Sequence, residues 1–305
     1  MSDTVRIVEV GPRDGLQNEK TPVGVADRIA FIEALLGAGL HTLEVGAFVS
    51  PKAIPQMVNS DAVLRGIEHH PEGEFHVLVP NLKGYEAAHA AGARVIAVFA
   101  SASEGFSRAN INCSVAESIE RFRPVVARAR ADGVKVRGYV SCVLGCPFDG
   151  EVRPAAVVEV AKALWALGCY EISLGDTIGV GTPRKARHLL RALAGEVPMA
   201  HLAMHFHDTY GQALANLYAG MEEGARIIDA AAGGLGGCPY APGATGNVAT
   251  EDVVYMLEGM GIATGVDMTK LVAASNAIGR LIGRPPVSRV AAAINAKSRT
   301  KAKGG

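Results

Sequence analysis

The chain has 305 residues, with 30 Lys and Arg set against 30 Asp and Glu, and 49% of its residues are hydrophobic. That balance excludes a nucleic-acid-wrapping or membrane-surface protein, and no apolar run reaches the roughly 18 residues needed to span a bilayer. Five scattered cysteines, an odd number, argue for reduced thiols rather than a disulfide framework; with a start (MSDTVRIVEV) unlike a secretory signal, a cytoplasmic location is expected.

Along the chain, short β-branched runs alternate with longer amphipathic ones. The strand-like runs are VRIVEV (5–10), HTLEVGAF (41–48), EFHVLVP (74–80), RVIAVFA (94–100), KVRGYVS (135–141), CYEISLG (169–175), LAMHFHD (202–208) and RIIDAAA (226–232). Helical patterns lie between them. Several end in glycine, a usual stop, and others open on Ser114, Pro154 or Pro183, where capping or first-turn residues belong. Strands alternating with helices imply a parallel sheet, and eight such units in about 250 residues predict an α/β fold of the (β/α)8 TIM-barrel type. Residues 1–285 read as one catalytic domain with an appended C-terminal helix (MTKLVAASNAIGRLIG). Residues 286–305 read as a segment ending in a basic, disordered tail.

Barrel chemistry sits at the C-terminal ends of the strands. Those ends carry Arg13, Asp14, Glu44, Asn81, Glu104, Asp176, His205, His207 and a glycine-rich stretch, GGLGGCPYAPGATGN (233–247). Alternate residues of a strand face one side, so His205 and His207 project together while Met204 and Phe206 point under the helices. The pair is either half of a metal site or two core histidines. Asp14 offers an oxygen ligand, a set that suits Mg²⁺ or Mn²⁺, or it forms a buried ion pair with Arg13. Glu44 and Asp176 are strand-end carboxylates able to orient Arg13 or support a metal, and Ser173 is expected inside the barrel. Cys142 and Cys146 have neither redox nor zinc spacing and read as buried small hydrophobes. The glycine stretch is neither a Walker loop nor a dinucleotide fingerprint; it reads as an active-site loop delivering Cys238 as acid or base.

At this point the chain resembles the 3-hydroxy-3-methylglutaryl-CoA lyase family. The likeness rests on VEVGPRDGLQNEK, FVSPK, PNLKGYEAA, NINCS, RGYVSCVLGCPF, CYEISLGDTIGVGTP, HFHDTYGQALAN, GLGGCPYAPGATGN and ATEDVVYMLEG, in order, over about residues 5–285. The resemblance implies that Asp14, His205, His207 and Asn247 bind a divalent cation. It implies that Arg13, with Gln17 in the same segment, binds substrate and stabilises an enolate. Cys238 would be the acid/base residue, and Glu44 and Asp176 would support catalysis. The family reaction is the retro-Claisen cleavage of an acyl-CoA substrate to acetyl-CoA and acetoacetate, in leucine breakdown, by homodimers. Lys20, Lys52 and Lys83 are candidates for the CoA phosphates. The stretches VGAF after Glu44 and AAAG before the glycine run carry fewer hydroxyl groups than is usual in that family. They leave a bulkier 3-hydroxyglutaryl-CoA open as substrate. A Cys238-nucleophile hydrolase or acyltransferase is the reading from another class.

Overall fold

In a computed structural model, which describes residues 4–237 and 246–303 and side chains as far as 298, eight strands pair in chain order and close on themselves. They are β1 (Arg6–Glu9), β2 (Thr42–Ala47), β3 (Glu74–Leu78), β4 (Val95–Ser101), β5 (Lys135–Ser141), β6 (Glu171–Asp176), β7 (Leu202–Phe206) and β8 (Ile227–Ala230). Every neighbouring pair is parallel. The helices are α1 (Val25–Gly37), α2 (Ser60–Gly66), α3 (Leu82–Ala90), α4 (Glu104–Ile111), α5 (Val115–Ala131), α6 (Pro154–Leu167), α7 (Pro183–Leu193), α8 (Ala213–Glu222), α9 (Thr250–Gly259), α10 (Met268–Ile282) and α11 (Arg289–Lys303). The barrel is therefore the (β/α)8 architecture expected, and the signals that foretold it are physically present. Ser114 and Glu117 form a reciprocal capping box on α5, and Pro154 and Pro183 open α6 and α7.

The C-terminus differs from the reading above. Besides α10, the appended helix foreseen, residues 289–303 form α11 instead of a disordered tail. The basic KSRTKAKGG drew attention away from its alanine-rich start. There Ser288 Oγ accepts from Ala291 N (3.0 Å) as a cap and donates to Asp252 Oδ1 of α9 (2.7 Å). Asn295 and Asn276 exchange two amide hydrogen bonds between α11 and α10 (2.8 and 2.9 Å).

Strand register decides what points inward. His205 pairs with Asp229 and Gly175, Arg137 pairs with Glu171, and Tyr139 pairs with Ser173, so these residues share the barrel interior. Met204, Ile172 and Ile228 take the alternate parity and are fully buried. Most TIM-barrel interiors are filled by branched apolar side chains. This one carries a chain of alternating charge. Arg6 pairs with Glu171; Arg137 Nε meets Glu171 Oε1 (2.6 Å), and its Nη2 meets Asp229 Oδ1 (2.6 Å). Burying such ions is costly unless every lone pair is engaged. Tyr139 and Ser173 supply the remaining partners, at 2.7 Å to Arg137 Nη1 and 2.8 Å to Asp229 Oδ2.

A slip of register between β2 and β3 at Glu44/Gly46 changes one sequence inference. The bulge leaves Glu44 inside but turns Gly46 outward, where an added Cβ would stand 2.7 Å from Ser60 Oγ. Among the described residues, no part of the VGAF or AAAG stretches lines the cavity at the barrel mouth.

Candidate active site

The first strand ends in a single π-helical turn, Gly11–Gly15, closed by Gly15 N donating to Val10 O (3.1 Å). Such wide turns recur at functional sites because they project consecutive side chains into one space. Here Arg13 lies buried, with Nη2 2.5 Å from Glu44 Oε2 and Nη1 2.9 Å from Asp14 Oδ1. Burial works against its charge, but Glu44 and Asp14 outweigh that and hold the guanidinium above its ordinary pKa. Gln17 Oε1, one turn on, lies 3.5 Å from Arg13 Nη1, and both residues line the cavity.

Asp14 meets the seventh strand. His205 Nε2 stands 3.8 Å from Asp14 Oδ2, and one ligand atom from each of Asp14, His205 and His207 lies within 4.8 Å of the others. Burial pushes the Asp14 carboxyl up, yet Arg13, His205 and His207 outweigh it and hold it below the usual carboxylate value. Burial and the neighbouring His205 push His207 down to about 4, so its imidazole is neutral at physiological pH. An ionised carboxylate and a neutral imidazole are the forms a cation binds.

Asn247 joins them from the far end of the glycine stretch. It pairs with His207 as an isolated bridge, and its Nδ2 donates to Asp14 Oδ2 (2.9 Å) and to Leu235 O (3.2 Å). The two ends of the stretch cross where only glycines fit: a Cβ on Gly246 would lie 2.4 Å from the Gly236 carbonyl carbon. Asn247 Oδ1 and His207 Nδ1 are both buried without a hydrogen-bond partner. Orphaned acceptors beside an ionised carboxylate fit a divalent cation, with Asp14 and Asn247 supplying oxygen and the two histidines nitrogen.

Beneath this cluster lies what the sequence reading missed. His205 Nδ1 is 3.1 Å from Asp229 Oδ2, and Arg137 holds that carboxylate through two hydrogen bonds of 2.6 and 2.9 Å. Burial opposes the Asp229 charge, but Arg137 overrides it and keeps the carboxyl well below its ordinary pKa. An ionised Asp229 accepts the Nδ1 proton, which leaves Nε2 of His205 as the atom facing Asp14. Asp229→Asn is therefore expected to weaken metal affinity about 10–100-fold, measured by Mn²⁺ titration, while Asp14, His207 and Asn247 remain in place. The signal was present as a charged residue inside each of the apolar runs KVRGYVS and RIIDAAA, on the parity of His205. Glu9 was missed as well. It faces outward, accepting from Gly11 N (2.8 Å), Ala232 N (2.9 Å) and Thr250 Oγ1 (2.6 Å), and so ties the Arg13 turn to the root of the glycine stretch.

Asp176 is placed differently from the other candidates. Its carboxylate accepts from Val180 N (3.2 Å) and Gly181 N (2.8 Å), and it does not line the cavity. Burial pushes it up to about 6. It fixes the loop after β6, whose Thr177 lines the cavity beside His207. Asn81 caps α3 through Gly84 N (3.0 Å) and also lines the cavity, whereas Glu104 bonds Val115 N and stays outside. Cys142 and Cys146 are free and buried, as read from their spacing. Cys238 lies outside the described residues.

The cavity measures about 420 Å³ and has two characters. Its lining includes the polar Arg13, Asp14, Gln17, His205 and His207 and the apolar Leu78, Phe99, Phe106 and Ile111.

A model of the HMGL-like family matches residues 4–278. The chain is similar to the 3-hydroxy-3-isohexenylglutaryl-CoA/hydroxy-methylglutaryl-CoA lyase of Pseudomonas aeruginosa, 58% identical over 294 residues that span 96% of this chain and 98% of that protein. The crystal structure of hydroxymethylglutaryl-CoA lyase from Pseudomonas aeruginosa matches with a TM-score of 0.95 at 57% identity, covering 97% of this chain and 99% of that one. An HMG-CoA lyase from Acinetobacter baumannii, solved in complex with coenzyme A and 3-methylmalate, matches with a TM-score of 0.92 at 38% identity, covering 96% of each chain.

Proposed function

The chain belongs to the HMGL-like family, and on that premise we propose that it is a carbon–carbon lyase cleaving 3-hydroxy-3-methylglutaryl-CoA to acetyl-CoA and acetoacetate. The observation that carries the reading is the convergence of Asp14, His205 and His207 beside Arg13 on one cavity, with Asn247 hydrogen-bonded to Asp14. These four residues would hold Mg²⁺ or Mn²⁺. When bound, such an ion orients the substrate's oxygens and makes its C3 hydroxyl more acidic.

The remaining chemistry belongs to the chain's own groups. Cleavage of C2–C3 moves charge onto the thioester oxygen and one proton from O3 to C2. Arg13, clamped by Glu44 and Asp14, presents a cation that needs no reorganisation as that charge grows. The guanidinium carbon of Arg13 lies over the Tyr139 ring, 5.8 Å from its centroid. Gln17 steadies the guanidinium from the cavity side. A thiol titrating near 8.5 is suited to hand a proton to the enolate carbon, and we assign that duty to Cys238. The four described cysteines are free thiols, which supports a reducing, cytoplasmic setting.

The apolar lining favours a second substrate of the same class, a 3-hydroxyglutaryl-CoA with a longer branched chain at C3. Leu78 and Phe99, whose register turns them into the barrel, would cover it. A product assay with both thioesters side by side tests the proposal. Acetyl-CoA released from 3-hydroxy-3-methylglutaryl-CoA is the expected result, and turnover of the longer homologue extends it. Release of free CoA with no carbon–carbon cleavage would overturn it in favour of a thiol hydrolase.

A further inference from the structure

A second convergence of ligand atoms lies at the opposite end of the barrel. His69 and His70 stand between α2 and the start of β3, and Glu33 projects from α1 toward them. The entrance to a strand is the face of such barrels that serves stability rather than chemistry. His69 Nε2 is 3.8 Å, and His70 Nε2 is 3.6 Å, from the same oxygen, Glu33 Oε1. The two imidazole rings lie against each other with centroids 4.1 Å apart.

The tautomer of His70 makes this arrangement informative. Its Nδ1 is 2.9 Å from Glu72 Oε1, and an ionised carboxylate can only accept, so Nδ1 carries the proton. In the neutral ring Nε2 then holds a lone pair aimed at Glu33 Oε1, itself an acceptor. That Nε2 is closed off from solvent and has no hydrogen-bond partner. The same oxygen can accept from a protonated His70 Nε2 and from the Nε2–H tautomer of His69, or all three atoms can donate to one cation; their convergence within 4.8 Å of one another is the geometry a metal site requires.

We propose that Glu33, His69 and His70 form a surface site for a borderline divalent metal, Zn²⁺ in first place, that clips α1 to the segment entering β3. Two histidines and one glutamate are an established zinc ligand set, with water in the fourth position. At zinc–ligand lengths of 2.0–2.1 Å the ligand atoms of a tetrahedron stand about 3.4 Å apart, so separations of 3.6 and 3.8 Å close with small side-chain rotations. Glu72 on the far nitrogen of His70 is the outer carboxylate that orients a metal-bound imidazole. His69, with a side chain 61% exposed, provides the entry path.

Equilibrium dialysis of the intact protein against Zn²⁺ at pH 8, where protons compete little, tests the site. The His69→Ala/His70→Ala double variant is expected to bind one zinc fewer per chain than the unaltered protein. Its turnover in Mg²⁺ should be unchanged, since neither residue approaches the barrel mouth. Glu33→Gln, which leaves both rings in place, is expected to weaken the same zinc at least tenfold. Equal zinc content in the protein and both variants would overturn the proposal and leave the cluster as ordinary surface ion pairs.

Discussion

Arg13→Gln lowers kcat about 100- to 1,000-fold and leaves metal affinity within a few-fold of its original value. The range is that measured when one preorganised donor to a developing oxyanion is removed. Arg13 earns the upper end because it is buried, charged and locked on two sides, by Glu44 at 2.5 Å and Asp14 at 2.9 Å. Glutamine keeps a donor of similar reach but loses the charge and the clamp. Single-turnover kinetics with a parallel Mn²⁺ titration separates the two effects. A fall in metal affinity that accounts for the whole loss of rate would show Arg13 acting through Asp14 rather than on substrate.

The second large effect separates the metal ligands from the thiol of the glycine stretch. His205→Ala removes both turnover and metal binding, because it deletes one of the ligands. Cys238→Ala, by contrast, keeps metal binding and loses turnover, because the ligands at the neck (Asn247 with Asp14, His205 and His207) are untouched. Metal titration and product assay on each variant decide. Loss of metal from the Cys238 variant would make the thiol a ligand instead of a proton carrier.

Much of this architecture is legible in the sequence because parallel barrels repeat one signal eight times. Each β-branched run lies where a strand forms, and the capping residues of α5, α6 and α7 stand where helices begin. The inward projection of His205 and His207 follows from strand parity alone. Parity also held the means to find Asp229 and Arg137. A charge inside an apolar strand reads as an edge position until register shows that its neighbours answer it. The bulge at Glu44/Gly46 was not legible, since one extra residue leaves no compositional mark yet reverses the side every later residue faces. The role of Asp176 was also hidden. A strand-end carboxylate binding substrate and one tying down its own loop are identical in sequence, and here the amides of Val180 and Gly181 have claimed it. The α11 helix was obscured by a basic tail, although Ser288 ahead of an alanine run is an ordinary helix start.

The central claim is that cleavage at this barrel mouth depends on a cation held by Asp14, His205, His207 and Asn247. The most direct measurement is acetyl-CoA release from 3-hydroxy-3-methylglutaryl-CoA by exhaustively metal-stripped protein, followed by back-titration with Mg²⁺ or Mn²⁺. The account predicts no turnover in chelator and full recovery at one cation per barrel mouth. Undiminished turnover in the stripped protein would contradict it.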